Sequence, residues 1–161
     1  MSDTSRAPAG TVVCHFLSGQ TPDAFSDDDV ADINELLSVL SPESPLASKD
    51  DVFILVRRAY LYVARIWDGM LDRPRIIGMA TLTPKQILSG RFGIIDDVVV
   101  HPGFEGNGTG KRIVGDVIAW ARKFGLSDLD LTSRPGRDAA NHLYQKLGFE
   151  LRATNCYRKK L

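Results

Sequence analysis

Cysteine is nearly absent from this chain. Cys14 and Cys156 are the only two in 161 residues, too few and too far apart for a disulfide framework or a metal-ligand spacing. Net charge of one sign is lacking too: 20 Lys and Arg balance 20 Asp and Glu, which removes the general case for a nucleic-acid or membrane-surface partner. No apolar run approaches membrane-spanning length, and residues 1–10, Met-Ser-Asp-Thr-Ser-Arg-Ala-Pro-Ala-Gly, lack the apolar centre of a signal peptide. Internal repeats and low-complexity tracts are missing as well. These absences lead us to expect a cytoplasmic protein with no metal, no nucleic acid and no membrane among its partners. The length fits one domain able to bury a core, so we expect a disordered lead-in over residues 1–10 and a single domain over 11–161.

What is present is an alternation of strands and helices. Thr11 to Leu17 reads as a strand. Asp27 to Leu40 reads as a helix, with three aspartates at its positive N-terminus and Val30, Ile33, Leu36, Leu37 and Leu40 at helical spacing. A second helix is expected over Asp50 to Ala59, a strand over Tyr60 to Trp67, a hairpin-like turn at 68–74, and a strand over Ile76 to Leu82. Lys85 to Arg91 reads as a polar connection. The rest is a strand over Ile94 to Val100, a helix from Lys111 to about Phe124, a strand over Leu126 to Thr132, and a helix from about Arg137 to Leu147. Two further strands are expected near Phe149–Arg152 and Asn155–Lys160. This order predicts an α/β (α+β) fold, a mixed, mostly antiparallel central sheet of six to seven strands with helices on both faces.

The stretch Asp96 to Lys111 carries the first chemical signal. A β-branched strand closes at His101-Pro102, glycines follow at 103, 106, 108 and 110, and a helix opens. The first N–H groups of a helix have no internal partner, and glycines let backbone approach an anion without a Cβ in the way. Two familiar phosphate motifs fail here. A Walker A loop would need glycine where Glu105 stands and a hydroxyl where Arg112 stands, and a dinucleotide fingerprint would need glycine at Lys111. The second signal is Asn141-His142-Leu143-Tyr144-Gln145-Lys146-Leu147-Gly148-Phe149. Asn141 and Tyr144 share one flank of a helix whose packed face is Ala140, Leu143 and Leu147. A tyrosine there keeps its ring packed while the hydroxyl reaches a cleft.

Together these segments resemble the GNAT N-acetyltransferase family. Glu105-Gly106-Asn107-Gly108-Thr109-Gly110 is in register with that family's coenzyme A pyrophosphate loop, except that Glu105 replaces the usual Arg or Gln. Asn141…Tyr144…Gly148-Phe149 resembles the family's Asn-x-x-Tyr…Gly-Phe signature, and the resemblance covers roughly residues 92–161. It implies acetyl transfer from acetyl-CoA to a primary amine by direct attack in a ternary complex. The acceptor would be a small molecule or a protein amine, and a homodimer is the candidate assembly. By the same resemblance Val98, Val99 and Val100 would meet the pantetheine arm through backbone groups, and Gly106 to Lys111 the pyrophosphate. Asn141, Tyr144 and Lys146 would add cofactor contacts, Lys146 at the 3′-phosphate.

Tyr144 is the candidate acid for the departing thiolate, and Asp96 and Asp97 are the candidate bases. Alternation along a strand puts Asp96 and Asp97 on opposite faces. Ile95-Asp96-Asp97-Val98-Val99-Val100 is also similar to the glucosamine-6-phosphate N-acetyltransferase branch, whose strand carries an acidic pair. The alternative function is a non-catalytic acyl-CoA sensor or interaction module on the same scaffold.

Overall fold

Strands in the middle of the chain alternate so cleanly that both of their faces are apolar. Leu61 and Val63 point one way, Tyr62 and Ala64 the other, and all four are buried. A computed structural model of the protein describes residues 10–67 and 73–161, so the lead-in before Gly10 and most of the 68–74 turn lie outside the described residues. Five strands form one sheet in chain order: β1 (Val12–Phe16), β2 (Tyr60–Trp67), β3 (Pro74–Ile87), β4 (Gly90–Val100) and β5 (Asp128–Leu131). The first three junctions are antiparallel and β4–β5 is parallel. Helices α1 (Asp27–Leu40) and α2 (Lys49–Val56) cover one face, where Ile33, Leu36 and Val52 meet Leu61, Val63, Ile76, Met79 and Val99. Helix α3 (Thr109–Lys123) covers the other, with Ile113, Val117 and Ala121 against Tyr62, Ala64, Ile77, Ala80, Leu82 and Ile95. Helix α4 (Asp138–Lys146) follows β5.

The expectation of six to seven strands is corrected to five. Residues 150–161 form no strand and are exposed throughout, with Leu151 at 99% and Tyr157 at 86%. Among the described residues β5 pairs only with β4, so its outer edge is open, yet the tail does not join it. The tail is tethered instead by Arg152, whose guanidinium meets Asp130 at 2.9 Å. The polar connection over Lys85–Arg91 is corrected as well. β3 runs to Ile87 and β4 begins at Gly90, so these residues form a projecting hairpin whose pairing comes from backbone and ignores side-chain polarity. The second helix stops at Val56 rather than Ala59; its start is fixed by a reciprocal cap between Ser48 and Asp51.

Helix α1 is fastened by charge. Ser26 caps it, and three of its carboxylates reach arginines in or just before the neighbouring strands: Asp29 to Arg65 of β2 at 2.7 Å, Asp32 to Arg73 before β3 at 2.7 Å, and Glu35 to Arg75 of β3. Asp32 is buried and also accepts the Ile76 N–H at 2.9 Å, so its charge is fully partnered. This docking places the C-terminal end of α1, Leu40 and Ser41, beside the bulged part of β4.

Candidate active site

The site begins where two parallel strands part. β4 and β5 pair from Phe92 with Asp128 to Ile95 with Leu131; there β5 ends while β4 continues to Val100. At that level β4 carries a bulge. Met79 faces Val99 and Thr81 faces Asp96, so Asp97 and Val98 together oppose Ala80. Asp97 has φ 53°, the one left-handed non-glycine residue among the described residues, and its carboxylate accepts the Thr81 hydroxyl at 3.1 Å. The extra residue resets the facing of the strand. Ile95, Val98 and Val100 all pack on the α3 side, and Val99 is buried on the α1 side. The expected placement of Asp96 and Asp97 on opposite faces is therefore corrected, because strict alternation fails at a bulge. Both line one cleft of about 610 Å³.

Tyr144 lines the same cleft from α4, along with Leu131 at the end of β5 and Thr132 and Ser133 that follow it. Burial raises the pKa of the Asp96 carboxyl, the Asp97 charge raises it further, and Lys85 acts against both. Asp96 is thus a stronger base than an ordinary aspartate. Tyr144 is 5% exposed, and burial raises its phenol pKa against an opposing pull from Arg137, so the hydroxyl keeps its proton at neutral pH. Asp96, itself exposed to solvent, and the protonated Tyr144 phenol both line this cavity.

The loop after β4 is built from backbone. His101 shapes its start: Nδ1 accepts the Gly103 N–H at 3.1 Å, and Nε2 lies 3.1 Å from Glu35 of α1. Gly106 and Gly108 have φ 77° and 79°, and a Cβ on either would meet nothing within 4 Å, so both are needed for their angles and the loop's outer side is open. Gly108 caps α3 without a side chain. The first helical bond runs from the Arg112 N–H to the Gly108 carbonyl at 3.0 Å, which leaves the amides of Thr109, Gly110 and Lys111 without partners inside the helix. Gly110 lies against its neighbours: a Cβ there would make ordinary contacts at 3.6 Å with Val100 and 3.5 Å with Leu143 of α4. The loop and the Tyr144 helix are therefore adjacent, and the cradle fits a pyrophosphate in charge and in openness.

Other expected site residues divide. The Val99 side chain is core, and Thr109 is buried at the start of α3. Glu105, Asn107 and Lys111 are exposed on the loop. The Asn141 amide nitrogen donates to the Arg134 and Pro135 carbonyls at 3.0 and 3.2 Å, tying down the turn before α4. Lys146 is exposed and lies outside the cleft lining. Sequence reasoning missed three contributors. The Arg137 guanidinium donates to the Val98 carbonyl at 3.2 Å, and the Ser133 hydroxyl is buried in the cleft wall with no hydrogen-bond partner. Both flank the Ser-Arg-Pro-Gly break, which was a usable signal. Arg158 also lines the cleft, and nothing in the sequence pointed to it.

A strand pair that parts beside a bulge, a backbone anion cradle, and an aspartate and a tyrosine lining one cleft form a recognisable set. The sequence profile of the acetyltransferase (GNAT) family matches residues 13–149. The chain belongs to that family. A glucosamine 6-phosphate N-acetyltransferase of Trypanosoma brucei brucei is 33% identical over 129 residues, covering 78% of this chain and 85% of that protein. An acetyltransferase structure from Trypanosoma brucei superposes with TM-score 0.73 at 24% identity, over 94% of this chain and 100% of that one. Glucosamine-6-phosphate N-acetyltransferase from Arabidopsis thaliana gives TM-score 0.71 at 18% identity, over 92% and 98%. These likenesses show the GNAT fold, with its mixed, mostly antiparallel sheet. Enzymes of the GNAT family take acetyl-CoA as co-substrate. Among the described residues no helix is long and apolar enough to cross a membrane, and no three His, Cys, Asp or Glu residues are grouped to hold a metal.

Proposed function

We propose that this GNAT protein is an acetyl-CoA-dependent N-acetyltransferase that moves the acetyl group to a primary amine by direct attack in a ternary complex. The observation that carries the reading is the meeting of Asp96 and Tyr144 in one cleft at the splay of β4 from β5. When bound, the thioester supplies the acetyl group. The amides of Gly106 to Lys111 hold the pyrophosphate, and the edge of β4 at Val100 pairs with the pantetheine arm as a strand would, the Val98 carbonyl being taken by Arg137. Asp96 takes a proton from the attacking amine, directly or through water, and the Val98 N–H faces the developing oxyanion. Tyr144 gives its proton to the departing thiolate. Holding amine and thioester together converts a bimolecular step into a local one, worth up to roughly 7–11 kcal/mol in the best cases.

The acceptor we assign is a phosphorylated amino sugar, with glucosamine 6-phosphate the first compound to try. The curated relative of that name supports it, and so does the cleft: Arg134, Arg137 and Arg158 line it, and none has a carboxylate within ion-pair distance among the described residues. Purified protein given acetyl-CoA should release free thiol with glucosamine 6-phosphate and much less with unphosphorylated glucosamine. Binding of acetyl-CoA with no thiol release across a panel of amines would instead support the non-catalytic sensor. We further propose that the enzyme acts as a homodimer in the cytoplasm. An exposed, unpaired segment over 150–161 next to the edge strand β5 is suited to strand addition between copies. Light scattering of the whole chain should give twice its mass, and removal of residues 150–161 should give a monomer.

A further inference from the structure

We infer that Thr81 and Asp97 form a positioning pair that holds the β4 bulge, and that Asp97 serves the site through backbone geometry rather than proton transfer. Its purpose rests on the acetyl-transfer reading; its existence does not. Asp97 stands where bulges of this kind usually carry glycine, in a left-handed conformation that an L residue adopts only when its surroundings enforce it. Thr81 is 2% exposed, so its hydroxyl needs a partner inside the protein, and the Asp97 carboxylate at 3.1 Å is that partner. Each group removes the other's liability: the buried hydroxyl is satisfied, and the strained backbone is pinned.

The pinned bulge has a specific consequence. In a regular strand Ile95 and Val98 would face opposite ways, and closing the bulge would turn Val98 and Val100 away from the α3 side while Ile95 stayed. With the bulge in place all three pack against the α3-side core, and Asp96 and Asp97 both reach the cleft. β5 ends at Leu131, which leaves the β4 edge beyond Ile95 without a strand partner, and the bulge sets which groups that stretch presents there. A ligand's apparent affinity scales with the fraction of protein holding the competent conformation, so loosening the pair should weaken coenzyme A binding.

Substitutions that separate conformation from charge test this. Coenzyme A affinity is measured by calorimetry, with the melting temperature as control. Asp97→Gly, which takes positive φ freely, should bind within about threefold of wild type, whereas Asp97→Ala should bind about tenfold or more weakly. Thr81→Ser keeps the hydroxyl and should bind like wild type; Thr81→Val, of nearly the same shape, should follow Asp97→Ala. Equal affinities for Asp97→Gly and Asp97→Ala, or wild-type affinity in Thr81→Val, would overturn the inference. Should Asp97→Ala fail to fold, the two Thr81 variants decide. The predicted ranking of affinities in a protein that acetylates no amine would sink the enzymatic reading and leave the positioning pair standing.

Discussion

Two regions of this acetyltransferase proposed to hold ligands are built in different ways. The loop from Glu105 to Gly108 offers backbone: left-handed glycines and a helix start with no side-chain cap. The cleft at Asp96 and Tyr144 uses side chains whose proton affinities are set by burial and by neighbours. The first needs only local sequence, because turn angles and helix ends are local properties. The second needs three segments of chain, β4, α4 and the end of α1, in one place. A backbone cradle tolerates changes in its side chains but not in its glycines, whereas a cleft built from tuned groups fails when a single proton carrier is lost.

Breaking the loop should have the largest effect. Gly108→Val forces a branched side chain into φ 79°, and coenzyme A binding should fall below detection by calorimetry while the melting temperature stays near wild type. Unchanged affinity in the folded variant would remove the loop from the binding site. Next comes the cleft. Tyr144→Phe keeps the ring against Phe149 and removes the proton, so kcat should drop by about 10²–10⁴-fold with little change in KM for acetyl-CoA. A kcat within about twofold of wild type would return Tyr144 to a packing role.

A smaller effect sharpens the electrostatic side of the comparison. Asp96 must be unprotonated to act as a base, and its raised pKa means that activity falls on acidification at a higher pH than an ordinary aspartate would impose. Asp97→Asn tolerates the left-handed backbone and still accepts from Thr81, but removes the neighbouring charge. The acidic limb of the pH–rate profile should therefore move to lower pH, and Asp96→Asn should abolish the limb. An upward move for Asp97→Asn would contradict the charge coupling. The smallest effect belongs to Glu105. Its backbone is ordinary extended chain and its side chain is exposed, so nothing in the loop's shape depends on it. Glu105→Gln should tighten acetyl-CoA binding by about two- to fivefold at low salt, less at high salt. Weaker binding at low salt would show that Glu105 shapes the loop.

Much of this site was legible from the residues. The Asp27–Leu40 helix follows from its aspartates and apolar period, and the structure places it at those bounds. The glycine loop and Tyr144 were visible because their spacing lies within single segments. The tail was misread: the strands expected near Phe149–Arg152 and Asn155–Lys160 do not form although the outer edge of β5 is open, because Leu151 and Tyr157 stay exposed and no apolar burial holds the tail on that edge. The Lys85–Arg91 hairpin was misread for the opposite reason, since backbone pairing carried a strand through polar residues. Arg158 was invisible for want of any pattern that sets a tail residue beside a cleft.

By itself the sequence determined that the loop after β4 has glycines free to turn left-handed, about where helices begin, and which faces are apolar, because these depend on torsional freedom and on periods of a few residues; which of the four glycines take positive φ, Gly106 and Gly108, was decided by the fold. Tertiary structure alone decided that Asp96 and Asp97 share a cleft. That outcome needs a register between β3 and β4 in which two residues oppose one, fixed by a buried hydroxyl sixteen positions away in sequence. No periodicity along β4 can contain it, because a bulge belongs to a pair of strands and not to either one.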